Sequence, residues 1–367
     1  MQGRTIGRRE AIRYALASCV GAAFGGSILA ACNDRPPRMP NLPCEQILTD
    51  PAIGFGISVL TPVFWGYADY QMGTAPANMR VYYPSFDGAP LCAPFAGGPG
   101  HFPLVMFLHG QCDEATHYLD WSHLPPVLAR SGFVVCVPDL SAIGNPSQTG
   151  SSTYTRITDC IDWMRSSWSH RDYLMSEASL GIVGHSYGAL HGGQLANTIP
   201  ASVFVSLGGV WTDWTPLSSW PIGSMTAPKL LVWGASDGQA TLPDANFESL
   251  PAPRHRLVFD GGHWDYLPPA ETNCDPGPGP CALFHEVVAD ISALYLSKYM
   301  WPEEAGFLTG YIPDDLVPPT VSRSRQQQFF AGGTWLSSFD RARSHPGCSS
   351  TLTWATPEAT GSRTIPG

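Results

Sequence analysis

Ser186 stands between two glycines in Gly184-His185-Ser186-Tyr187-Gly188, after the apolar run Leu180 to Val183 and before a run of small residues. In a strand–G-x-S-x-G–helix turn the serine takes a strained backbone conformation. The flanking glycines admit the close approach of strand and helix. The hydroxyl is then exposed at the carboxyl edge of a sheet, with a helix N-terminus beneath it. Five residues alone fit a plain turn as well, so the rest of the chain must supply partners for the chemistry.

A hydroxyl is a poor nucleophile without a base. His263 follows the last apolar run, in a Gly-rich loop, where a base is expected. Its imidazole needs an acid to fix the tautomer and stabilise the cation. Asp237 follows the preceding strand pattern, in Leu231-Val-Trp-Gly-Ala-Ser-Asp-Gly238. Asp213, one strand earlier, is the alternative acid, whereas Asp260 and Asp265 fit a loop or solvent role. Acyl transfer also needs donors for a developing oxyanion. Phe107-Leu-His-Gly-Gln111 ends an early strand and can present the Gln111 N–H, and the second donor is the N–H of Tyr187. His109, His185 and His191 read as supporting residues.

Such groups must be held by a sheet. Apolar runs at 79–84, 102–108, 133–139, 180–184, 201–207, 229–233 and 255–259 suit strands buried on both faces. Helical spacing lies between them at 119–131, 153–167, 186–196 and 284–299, with Pro125 and Pro126 confining the first helix to the residues after them. Strands alternating with helices argue for an α/β fold with a mostly parallel central sheet flanked by helices.

The order Ser186, Asp237, His263 is that of the α/β-hydrolases. From about Tyr67 to Tyr299 the chain resembles that superfamily. His109-Gly-Gln111, Arg130-Ser-Gly-Phe-Val-Val-Cys-Val-Pro-Asp139, Gly184-His-Ser-Tyr-Gly188 and Gly234-Ala-Ser-Asp237 are similar to a particular branch. That branch holds the dienelactone hydrolases, chlorophyllases and polyester hydrolases, with the platelet-activating-factor acetylhydrolase-like enzymes. Tyr187 departs from the Met usual in polyester hydrolases. Ala189 departs from the second Gly of chlorophyllases. The resemblance implies a serine hydrolase of carboxylic esters, with Ser186, Asp237 and His263 as triad and no metal or organic cofactor. A peptidase or amidase on the same triad is the alternative, as is a noncatalytic surface-binding lipoprotein that keeps the fold. The partner expected is a small-molecule or lipid-like ester. Trp211, Trp214 and Trp264 could line an apolar pocket for it or pack the core and loops.

The chain has 367 residues, 44% of them hydrophobic, ample for a large core. Its formal charge of −10, with no Lys/Arg run, argues against nucleic acid or an anionic membrane surface as partner. Neither a C-x-x-C pair nor an H-x-x-x-H cluster suggests zinc.

Arg4, Arg8, Arg9 and Arg13 precede a small, apolar stretch from Ala15 to Ala31, the pattern of an export signal. Leu29-Ala-Ala-Cys32 resembles the lipobox of bacterial lipoproteins, which implies lipidation at Cys32 and a membrane contact only through that anchor. An ordinary signal cut at a small residue is the other reading. The expected divisions are a signal at 1–31, a Pro-rich tether at 32–45, the catalytic domain at 46–300 and a packed C-terminal extension at 301–367. Residues 327–335 and 350–354 read as short strands there. Of 10 cysteines, eight lie beyond the signal, and in an exported chain an even number suggests disulfides. Eight cysteines allow 105 pairings. Cys274 and Cys281 close a turn-rich loop and form the expected pair, while Cys136 also suits a buried thiol. Oligomeric state leaves no mark on the sequence.

Overall fold

Strand β1 (Phe64–Met72) and strand β2 (Ala77–Ser85) open the architecture as an antiparallel ribbon. The computed structural model describes residues 64–72, 77–85, 93, 95, 102–110, 117–119, 121, 123–140, 150–175, 179–209, 225–237, 244–263, 265, 284–300, 350–355 and 360–365. Cys32, Gln111, Trp211, Asp213, Trp214, Trp264, Cys274, Cys281, the 327–335 segment and the proposed signal and tether lie outside the described residues.

After the ribbon come β3 (Leu104–Leu108), α1 (Leu124–Arg130), β4 (Val134–Pro138), α2 (Gly150–Ser166), β5 (Leu180–His185) and α3 (Tyr187–Thr198). Then come β6 (Val203–Leu207), β7 (Lys229–Gly234), α4 (Asp244–Ser249), β8 (Arg254–Phe259) and α5 (Phe284–Met300). Strands β9 (Ser350–Ala355) and β10 (Thr360–Ile365) end the chain. Ten strands form one sheet in the order β1-β2-β4-β3-β5-β6-β7-β8-β9-β10. The run from β4 through β3 and β5 to β8 is parallel. Antiparallel pairs flank it on both sides. The fold is α/β, with helices on both faces of a mostly parallel sheet.

Alternation along the strands builds two cores. Val105 and Phe107 of β3 face a layer with Leu124 and Leu128 of α1 and Val288 and Ile291 of α5. Leu104, Met106 and Leu108 face the other layer, with Ile157 and Ile161 of α2 and Leu195 of α3. Both faces are covered, so β3, β4, β5, β6 and β7 are buried at every position, as the continuous apolar runs imply. β8 differs: every second residue, including Arg254 and Arg256, is only half-buried. Each of these arginines keeps its guanidinium over the ring of Phe247, at 5.5 and 4.7 Å from the centroid.

Two local features depart from sequence expectation. α1 contains Pro125 and Pro126 instead of starting after them, because the first turn of a helix has no intrahelical use for their missing N–H groups. α4 and β10 carry no strong periodic pattern; β10 is fixed by its antiparallel pairing with β9. Cys136 and Cys160, from β4 and α2, are buried free thiols.

The β1–β2 ribbon is fixed by charge as well as register. Asp69 and Arg80 face each other across it, and the guanidinium binds the carboxylate through two bonds of 2.6 and 2.8 Å. Arg80 also lies 4.1 Å from the centroid of the Tyr67 ring.

α3 packs unusually close to β3. A Cβ on Gly188 would fall inside contact distance of the backbone carbonyls of Leu108 and His109. Backbone cannot swing aside as a flexible side chain can. Gly188→Ala is therefore expected to lower unfolding free energy by about 1–3 kcal/mol or more, read from urea denaturation. An unchanged midpoint would refute this close packing.

His191 lies further along α3 and is buried. Burial pushes its imidazole from 6.5 down to about 4. The unfolded chain binds this proton below 6.5, whereas the fold resists it until about 4. The contribution is fully present above 6.5 and is lost as pH falls towards 4. His191→Gln should reduce the stability lost between pH 7 and pH 5 by on the order of 1–2 kcal/mol. Equal losses in both proteins, measured by denaturant unfolding, would contradict this sign.

Candidate active site

β5 runs into α3 through a single residue, Ser186. Its backbone sits at φ 53° and ψ −121°. It is the one non-glycine with positive φ among the described residues. Such a conformation costs about 1–3 kcal/mol and persists only where the surroundings over-determine it. The surroundings here do so. The Ser186 N–H donates to the Leu207 carbonyl at 2.9 Å, which ties the turn to β6. Its carbonyl accepts from Ala189 at 3.0 Å and Leu190 at 3.3 Å, which starts the helix. A Cβ on Gly184 would overlap the backbone of Gly188 and Ala189. Both glycines of the motif are thus required by close approach.

The N–H of Tyr187 opens α3 and has no carbonyl one turn earlier to bond. It lies at the positive end of the helix dipole, next to the Ser186 hydroxyl. The Tyr187 phenol is half-buried, and burial pushes its titration up.

His263 and Asp237 come from the loops after β8 and β7. Nδ1 of His263 lies 2.8 Å from Oδ2 of Asp237, and both side chains are buried. A carboxylate only accepts, so this bond places the proton on Nδ1 and leaves Nε2 as the basic nitrogen. Backbone bonds join the two loops. Ala235 donates to the Phe259 carbonyl at 2.7 Å, and Ser236 donates to the Gly261 carbonyl at 2.9 Å. Gly234 packs against Gly261 so closely that a side chain on it would meet the Gly261 carbonyl. Asp265 serves its own loop, accepting from the Gly262 N–H at 2.8 Å.

The loop after β3 is equally fixed. Nε2 of His109 accepts the Leu140 N–H at 2.8 Å. An N–H can only donate, so Nε2 carries no proton. Nδ1–H then donates to the Gly110 carbonyl at 2.7 Å. His109 is thereby a neutral brace between the β3 and β4 loops. Gly110 abuts the Ser186 turn: a Cβ there would lie 3.0 Å from both the Ser186 Cβ and the His185 Nδ1.

Ser186, Asp237, His263 and Tyr187 therefore gather at the carboxyl ends of β5, β7 and β8, with Gly110 beside them. Gln111 and the three tryptophans expected to line a pocket lie outside the described residues. Trp121, which no motif in the sequence singles out, packs at 5.2 Å on the His185 ring. It stands at the start of the 119–131 segment, ahead of Pro125 and Pro126, and only its neighbours in space mark it. Among the described residues no cluster of three His, Cys, Asp or Glu side chains could hold a metal ion. None of the described helices is long and apolar enough to cross a membrane.

Residues 103–217 match the family model described as alpha/beta hydrolase fold. The matched stretch contains β3 to β6, His109 and the Ser186 turn, and it stops before Asp237 and His263. No curated protein matches the chain. Sheet order, two-sided helix layers and the family match together give this chain the α/β-hydrolase fold.

Proposed function

We propose that the protein is a serine hydrolase that cleaves carboxylic esters through an acyl-enzyme. The observation that carries this reading is the strained Ser186 backbone, held at the same sheet edge as the buried Asp237–His263 pair. A plain turn has no reason to store strain, and a buried carboxylate against an imidazole has a clear use beside a nucleophile.

In this reading His263 Nε2 takes the Ser186 proton as Oγ attacks the ester carbonyl. The carbonyl oxygen becomes an oxyanion, held by the N–H groups of Tyr187 and Gln111. Asp237 stabilises the imidazolium without taking its proton. The tetrahedral intermediate collapses, the C–O bond of the alcohol breaks, and the alcohol leaves with the proton from His263. Water then attacks the acyl-serine with His263 again as base. The acid is released and Ser186 regains its proton. The residues present need no metal or organic cofactor for these steps.

Trp211, Trp214 and Trp264 follow β6 and β8 in sequence and suit the walls of an apolar acyl or aryl site. The basic, small-residue N-terminus supports export, with Cys32 as a lipid anchor to the cell envelope.

Ser186→Ala should lower kcat on short-chain nitrophenyl esters by about 10³-fold or more and abolish fluorophosphonate labelling. Asp237→Asn should lower kcat by about 10²–10⁴-fold, since the amide cannot hold the same tautomer. Full esterase activity in folded Ser186→Ala would end the proposal. A paired panel of esters and peptides with one acyl group should show ester cleavage as the faster reaction. Faster peptide cleavage would replace the esterase reading with a peptidase.

A further inference from the structure

We propose that His185 is a positioning residue that holds His263 in place for Ser186, a proposal that rests on the serine-hydrolase reading. His185 is the last residue of β5 and immediately precedes Ser186. Its side chain is completely buried. Nε2 lies 3.0 Å from the carbonyl oxygen of His263. A carbonyl only accepts, so Nε2 carries the proton and donates it. The residue beside the nucleophile thus binds the backbone of the base, although β5 and β8 are separated by β6 and β7.

The ring is itself confined. It lies 4.8 Å from the His263 ring at 40°, and 5.2 Å from the Trp121 ring at 58°. Trp121 is buried in turn against Phe107 of β3, at 4.5 Å. Gly110 closes the Nδ1 side, where a Cβ would stand 3.0 Å away. His185 therefore touches the loops after β3 and β8 from the end of β5.

This arrangement fixes His263 at two points. Asp237 holds Nδ1 of its ring, and His185 holds its main-chain carbonyl. With both held, the ring has little freedom about its side-chain torsions, and the direction of Nε2 is set. Catalysis by proton transfer is sensitive to such placement, because a misplacement of about 1 Å can cost on the order of 10²-fold. A neutral histidine also supplies the bond without a charge. A lysine or arginine would set a like charge against the imidazolium that forms on His263.

The test compares His185→Gln with His185→Asn in the full chain, with His185→Phe as a third variant. A glutamine amide nitrogen can occupy the place of Nε2 and restore the donor. An asparagine amide reaches only the place of Nδ1, and phenylalanine keeps the ring without a donor. Circular dichroism and thermal melts establish folding, and kcat and KM are measured on one nitrophenyl ester. We expect His185→Asn and His185→Phe to lose about 10–100-fold in kcat with KM within about twofold of wild type. His185→Gln should recover to within a few-fold. Equal kcat in Gln and Asn variants, or a loss that falls on KM alone, would overturn the positioning role. If His185→Phe does not fold, the Gln and Asn pair decides by itself. Ser186→Ala is measured alongside. If that variant stays active, the serine-hydrolase reading falls; if it is inactive while His185→Asn matches wild type, only the role of His185 falls.

Discussion

The Ser186 backbone is the constraint on which the site depends. At φ 53° and ψ −121° it lies where a residue with a Cβ is strained. Backbone packing and hydrogen bonds around the turn hold it there. Gly184 lies against Gly188, and Gly188 lies against the end of β3. The turn is also bonded to β6 by its N–H and to its own helix by its carbonyl. To relax the strain, α3 would have to move away from two strands at once. The Ser186 side chain is thereby held rigid by neighbouring elements of the fold.

Parallel strands make the second half of the arrangement possible. In a parallel run every strand delivers its carboxyl end to the same edge, so residues far apart in sequence meet without long excursions. Ser186, Asp237 and His263 each follow their strand by at most a few residues. The loops are then joined sideways, β7 to β8 by paired backbone bonds and β3 to β4 through His109. The geometry of the edge is set by these backbone bonds and by buried side chains held in hydrogen bonds.

The chain beyond α5 contributes at the far side of the same sheet. β8 carries the loop of His263 and would be an edge strand after β7. β9 pairs with it antiparallel along its whole length, from Arg254 with Ala355 to Phe259 with Ser350, and β10 pairs with β9. The unpaired backbone groups of β8 are therefore satisfied. The strand that leads to His263 is supported on both sides.

By itself the sequence determined which residue types could act and in what order. The Gly184–Gly188 motif, the apolar strand runs and the Gly-rich loop at His263 are local patterns, legible because backbone strain and burial leave compositional marks. The same holds for the helices, except at α1, where two prolines hid a helix start that tolerates them, and at α4, which carries no clear periodic pattern. Sequence left two acids open, and the structure sets Asp237 2.8 Å from His263. Nor does composition announce that His185 reaches the His263 carbonyl, that Trp121 backs it, or that β9 and β10 complete the sheet beyond β8. These are contacts between segments distant in the chain. Their partners are chosen by strand register and sheet order, which no local pattern of residues encodes.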